Sequence, residues 1–233
     1  MGQIISIFDN LDFSRKGSLG VNLAAALSIQ SKEGVAFVDM TLSGGGNIEQ
    51  ISGFKAEKNI IDLTAVMERA NENIIKGYIE RHSSGVSFIE GVDMDSLRNV
   101  SPENLAETLK LVSRAFSFVV LILPSSFDDY FKAVCGASNL SIVSIYPQMI
   151  SLLDCRKFLE KLASWHLPLA LAKGIINRTS AKTSLEKKKI ENYLGINVLS
   201  EIPYDADMVV SSINRGTIDV MADPHSEFSV SIK

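Results

Sequence analysis

Short apolar runs alternate with longer stretches of helical character almost from one end of the chain to the other. Ile4–Phe8 is broken only by Ser6, and Val35–Val38 is unbroken until Asp39. Runs of this kind suit strands buried on both faces. Val86–Ile89, Phe116–Leu123, Ile142–Tyr146, Ala170–Ile176 and Val198–Ile202 repeat the pattern, Phe116–Leu123 being the most apolar and stopping at Pro124. Between them, Val21–Ile29 is built around the strong helix formers Ala24–Leu27. Ile60–Ala70, Asn73–Arg81, Asn104–Arg114, Leu152–Leu162 and Ser184–Tyr193 also predict helices. Ser101-Pro102 supplies a capping hydroxyl and a first-turn proline for the helix that follows. Repeated strand-helix-strand units with apolar strands predict a three-layer, doubly wound α/β fold, its sheet mostly parallel and covered by helices on both faces. Any ligand should then sit beyond the carboxyl ends of the strands. With no internal repeat or linker, residues 1–233 are expected to form a single domain, without a separate receiver or membrane domain.

Composition adds limits rather than a function. A content of 46% hydrophobic and 21% charged residues is that of an ordinary globular protein. The net charge of -4 argues against a surface built to neutralise nucleic-acid phosphates. No run reaches the roughly 20 apolar residues of a spanning helix, and no secretory signal is visible, so a cytoplasmic location is expected. Cys135 and Cys155 lack metal-ligand spacing and read as buried thiols in a reducing compartment. His82, His166 and His225 share no spacing with cysteines or carboxylates, and loop or surface positions are expected for them.

The turn after the first strand is where a sheet of this kind offers backbone N–H groups and a helix dipole to an anion. Here it runs Asp9-Asn10-Leu11-Asp12-Phe13-Ser14-Arg15-Lys16-Gly17-Ser18 and enters Leu19-Gly20-Val21-Asn22-Leu23-Ala24-Ala25-Ala26-Leu27. The string Val21–Leu27, at this distance from Ile4–Phe8, resembles the ParA/MinD class of P-loop ATPases. Other segments agree in order and spacing: Val35–Asp39 with the second strand and its switch acid, Phe116–Pro124 with the Walker B strand, Ile175–Arg178 with the strand end that reads the base, and Ile202–Asp205 with Asn214–Gly216 in the closing section. The resemblance spans about residues 3 to 226 and is nearest in flavour to the CpaE/TadZ branch of pilus assembly.

The resemblance also shows what is missing. Without gaps, Leu11 stands in place of the lysine that reaches across a dimer. Asp12, Phe13 and Arg15 replace glycines, Lys16 matches the P-loop lysine, Gly17 replaces the Mg²⁺-binding hydroxyl, and Ser18 matches the hydroxyl after it. Glycine adopts phosphate-wrapping conformations freely, whereas residues with a Cβ adopt them at a cost. Gly17 offers Mg²⁺ no oxygen, and Ile122 stands where the Walker B aspartate is expected.

The resemblance then implies Arg15, Lys16, Gly17, Ser18, Asp39, Asn177 and Arg178 as candidate ligand-binding positions, with no catalytic and no metal-binding residue. ATP or ADP stays open as a ligand, no cofactor is required, and Mg²⁺ is not expected to bind in the usual way. The expected function is that of a non-hydrolysing scaffold or positioning protein, with the protein partners of a pilus or secretion assembly. A nucleotide-independent homodimer, recruitment to the cell pole or inner-membrane machinery through partners, no nucleic-acid partner and no membrane insertion complete the expectation. An atypical ATPase using Lys16 and Arg15, and a DNA-segregation or division-site protein, are the alternatives. Bland readings stand beside the sharp ones: a solvated Lys16, an Asn177 that caps a turn, and Ser43–Gly46 as a flexible connection.

Overall fold

The computed structural model describes residues 1–9, 13–124, 126–177, 185–203 and 214–233, and of positions 13–16 the backbone alone. Seven parallel strands form one sheet: β1 (Gln3–Phe8), β2 (Val35–Asp39), β3 (Val86–Ile89), β4 (Phe118–Ile122), β5 (Leu140–Ile145), β6 (Ala172–Asn177) and β7 (Val198–Ile202). Their order is β3-β2-β4-β1-β5-β6-β7. The doubly wound parallel architecture expected from the apolar runs is the one observed.

Side-chain alternation along each strand divides the core in two. Ile4, Val38, Val119, Leu121, Val143 and Ile145 point to one face. That face is covered by α3 (Ile60–Val66), α4 (Glu72–Tyr78), α5 (Met94–Leu97), α6 (Pro102–Ala115), α7 (Asp129–Ala137), α8 (Met149–Ser164) and α9 (Lys187–Leu194). Ile5, Ile7, Phe37, Val120, Ile122 and Ile175 point to the other. There α1 (Phe13–Ser31), α2 (Asn47–Ser52), α10 (Asp219–Ala222) and α11 (Glu227–Ile232) close the core.

The cap read at Ser101 is present, its side chain accepting from the Asn104 backbone at 3.1 Å. Two corrections concern the side that carries the candidate site. The first helix does not start at Val21 but at Phe13, eight residues earlier. Residues with a Cβ in place of glycine favour helix over loop by about 1 kcal/mol each, which accounts for the extension. Ser43–Gly46 is not merely a flexible connection. Ser43 bridges to Asp93 and Gly46, at φ 79°, caps the short α2 that the sequence pattern did not reveal.

Candidate functional site

The carboxyl ends of the central strands carry a line of polar side chains, all on the α1 side of the sheet. β1 ends at Phe8 and α1 begins at Phe13, so positions 9–12 alone separate strand from helix. Gly17 and Ser18, expected in the loop, are buried inside the helix. Arg15 and Lys16 also belong to α1, but their side chains lie outside the described residues, as does Arg178 altogether.

Asn22, one turn beyond Ser18, is fully buried and organises this helix end. Its amide donates to the Ser18 carbonyl at 2.9 Å and to Asp219 Oδ2 at 3.0 Å, and lies 3.4 Å from Ser18 Oγ. Its carbonyl oxygen accepts from the Val220 backbone at 2.9 Å. One side chain thus ties α1 to α10. Ser18 is 4% exposed, and its hydroxyl faces that amide.

Asp39 ends β2 and is 1% exposed. Its Oδ1 accepts from the Thr41 backbone at 2.8 Å and from the Thr41 hydroxyl at 2.7 Å, and its Oδ2 from the Asn47 amide at 3.0 Å. Asn47 also donates to Ser43. The carboxylate therefore holds the loop between β2 and α2. Gly91 lies so near that an added Cβ would stand 2.7 Å from Asp39 Oδ2. Beside it, burial pushes the Glu90 carboxyl above its ordinary range, opposed by the Gly91 N–H and reinforced by the charge of Asp39.

Ile122 is the register partner of Asp39 on one side and of Ile7 on the other. It is fully buried and points at α1. At Gly20 a Cβ would meet Ile122 Cδ1 at 2.5 Å and Phe37 Cε2 at 2.9 Å, so the helix lies directly on this apolar pair. The place where the resemblance expects a metal-binding carboxylate is filled by hydrocarbon.

Asn177 ends β6, and its amide donates to the Tyr146 hydroxyl at 3.1 Å. That hydroxyl lies 3.4 Å from Asp9 Oδ2. Asp9 and Tyr146 are each 2% exposed. Neither was among the residues read as candidates. The signal available in the sequence was a polar group at the end of an apolar run: Asp9 directly after Ile4–Phe8, and Tyr146 as the last residue of Ile142–Tyr146. Asp39 and Asn177 stand on β2 and β6, four strand spacings apart, or about 19 Å. The candidates thus share one edge of the sheet without converging on one point. Cys135 and Cys155 are buried free thiols, and burial raises the pKa of both, that of Cys155 to about 12.

No family model matches the chain. Over 207 residues it is 27% identical to an uncharacterized ATP-binding protein of Methanocaldococcus jannaschii, covering 88% of this chain and 75% of the relative. It is 22% identical over 240 residues to the septum site-determining protein MinD of Bacillus subtilis, covering 100% of this chain and 87% of MinD. Among solved structures, a ParA family ATPase from Chlorobium tepidum matches with a TM-score of 0.89 at 18% identity, over 100% of this chain and 97% of that one. The fold is that of the ParA/MinD P-loop NTPases.

Proposed function

We propose that this chain is a positioning protein of ParA/MinD type that does not hydrolyse nucleotide and acts through its protein-binding surfaces, in the assembly or polar placement of a pilus or secretion apparatus. The contact of Ile122 with Gly20 carries the reading. Mg²⁺-assisted phosphoryl transfer depends on positioned oxygens and charge. An isoleucine packed beneath Gly20 of α1, beside Phe37 on the same face of the sheet, supplies neither. The other oxygens nearby already have protein partners: Ser18 faces Asn22, and Asp39 accepts from Thr41 and Asn47. The residues described here do not fit Mg²⁺, and the proposed role requires no cofactor.

The positioning role follows the similarity to MinD, which is named for septum-site determination. The pilus or secretion setting follows the resemblance to the CpaE/TadZ branch. Among the described residues no helix is long and apolar enough to cross a membrane, and recruitment through protein partners is the corresponding proposal. With Leu11 where the trans lysine is expected, any homodimer should form without nucleotide. Equal sedimentation with and without ATP is the expected result.

A second reading is favoured by one observation: the archaeal relative at 27% identity is named as ATP-binding. In it, Arg15, Lys16, Gly17 and Ser18 at the start of α1, with Asn177 at the end of β6 and its sequence neighbour Arg178, still hold a nucleotide. Calorimetric titration with Mg-ATP separates the two. Heats equal to dilution up to millimolar ligand support the scaffold alone; saturable micromolar binding replaces it with the second reading.

A further inference from the structure

Both α6 and α7 return from the carboxyl to the amino ends of the strands, on the face away from α1, so they lie side by side and run in the same direction. They pack on each other, and the Tyr130 hydroxyl of α7 donates to the Val100 carbonyl just before α6 at 3.0 Å. Between them runs an open groove of about 590 Å³, lined by Ala106 of α6 and by Ala133 and Gly136 of α7. A Cβ at Gly136 would meet nothing within 4 Å. Packing inside this chain therefore gives no reason for glycine there, although glycine weakens a helix relative to alanine.

The charges along the groove are ordered. Glu103 and Asp129 stand in the first turns of the two helices, so both carboxylates lie at one end. Lys110 follows two turns after Glu103 on the same side of α6, about 10 Å along the helix. With Lys132, the described lining carries two carboxylates and two ammonium groups, so net charge does not oppose a second face of the same kind. Among the described residues neither Glu103 nor Asp129 has an ion-pair partner. Lys110 pairs with Glu107 at 2.8 Å, an exposed contact that contributes little and leaves the ammonium group able to turn elsewhere.

The order acid, small residue, base at Glu103, Ala106 and Lys110 is complementary to itself when reversed. A second α6 laid antiparallel on the first puts each Lys110 opposite the other copy's Glu103, with the two Ala106 side chains between them. We propose that the α6–α7 groove is a homodimer interface, in which α6 of a second copy lies antiparallel to α6. Lys110 of that copy then meets the end that holds Glu103 and Asp129, its Glu103 meets Lys110, and two-fold symmetry makes each contact twice. The surface lies across the sheet from α1, so the dimer needs no nucleotide. The inference rests on the nucleotide-independent homodimer proposed above and names its surface.

The test is sedimentation equilibrium without nucleotide, at micromolar to high-micromolar protein, of wild type, Glu103→Lys, Lys110→Glu and the double variant carrying both. Like charges facing each other at both ends of the interface should weaken each single variant's association at least about tenfold. The double variant restores opposite charges between the two copies of α6 and should regain most of the affinity. The two single variants, once mixed, should pair with each other more tightly than either pairs with itself, which a loss of folding cannot produce. Gly136→Trp has room inside the monomer and should fill the groove, abolishing the dimer with an unchanged circular dichroism spectrum. Wild-type association should weaken as salt is raised. A wild type that stays monomeric throughout overturns the proposal. So does a dimer that wild type and both single variants form equally, or a pair of single variants that gains nothing from mixing. A dimer that appears only with Mg-ATP, yet keeps the charge pattern, overturns the nucleotide-independent reading instead and supports this surface.

Discussion

Replacing Ile122 with aspartate returns a carboxylate to the place where a hydrolysing relative would be expected to use one. Ile122 is fully buried, lies against Gly20 and Phe37, and belongs to the core between the sheet and α1. Removing its hydrocarbon, as in Ile122→Ala, should cost about 2–5 kcal/mol. Leaving a polar group unsatisfied there adds about 1–3 kcal/mol, and more for a charge. Ile122→Asp should then lose about 4 kcal/mol or more, a large share of a typical stability of about 5–15 kcal/mol. Urea unfolding of wild type, Ile122→Ala, Ile122→Asn and Ile122→Asp at pH 7 separates lost packing from added charge. The pH dependence has a definite sign. Burial raises the folded-state pKa of the new aspartate above its unfolded value near 3.9, so the folded state holds more protons in between and stability rises as pH falls towards that range. The gap between Ile122→Asp and Ile122→Asn should narrow accordingly. A working metal site would behave differently, because Mg-ATP would bind the folded variant and recover its stability. The reasoning is refuted if Ile122→Asp is as stable as Ile122→Ala, or if Mg-ATP restores it by several kcal/mol.

Three further outcomes follow, two from the same region and one from the turn before β3. Gly20→Ala should cost about 1–3 kcal/mol by crowding Ile122 and Phe37, and much less in an Ile122→Ala background; equal costs in a double-mutant cycle would show that the contact is not the cause. Asn22→Ala removes the bonds to Ser18, Asp219 and Val220, a loss of about 2–3 kcal/mol that a thermal melt should register as a fall of roughly 5–10 °C; an unchanged midpoint contradicts the tie between α1 and α10. Burial lowers the pKa of His82, whose Nδ1 accepts from the Ser84 backbone at 3.1 Å. The unfolded chain takes up the proton first as pH falls below about 6.5, so wild type should lose stability from there downwards. His82→Asn should flatten that slope, and identical slopes in the two proteins would argue against it.

How much of this was legible in the sequence depends on the range of the interaction. The strands were readable because a doubly covered sheet needs uninterrupted apolar runs, and Val86–Ile89 and Val198–Ile202 have the boundaries their hydrophobicity suggests. α7 escaped notice because Asp129–Ala137 is short and mixes polar with small residues. The early start of α1 is not legible from the apolar pattern, because Phe13–Ser18 carries a single large apolar residue among polar and small ones and shows no helical period. Ile122 was legible as a substitution, but its packing on Gly20 joins residues about 100 positions apart and needs the fold. The same holds for Asp9, Tyr146 and Asn177, which the topology brings together from three strands. The self-satisfied state of Asp39 could not be seen either, because it depends on how the loop to Asn47 folds back.

The central claim is that this ParA/MinD-type fold does not turn over nucleotide. It is tested most directly by measuring phosphate release from saturating Mg-ATP by the wild-type protein beside Lys16→Ala. The account predicts that both stay at the rate of the protein-free control. Release by wild type that Lys16→Ala abolishes would contradict it.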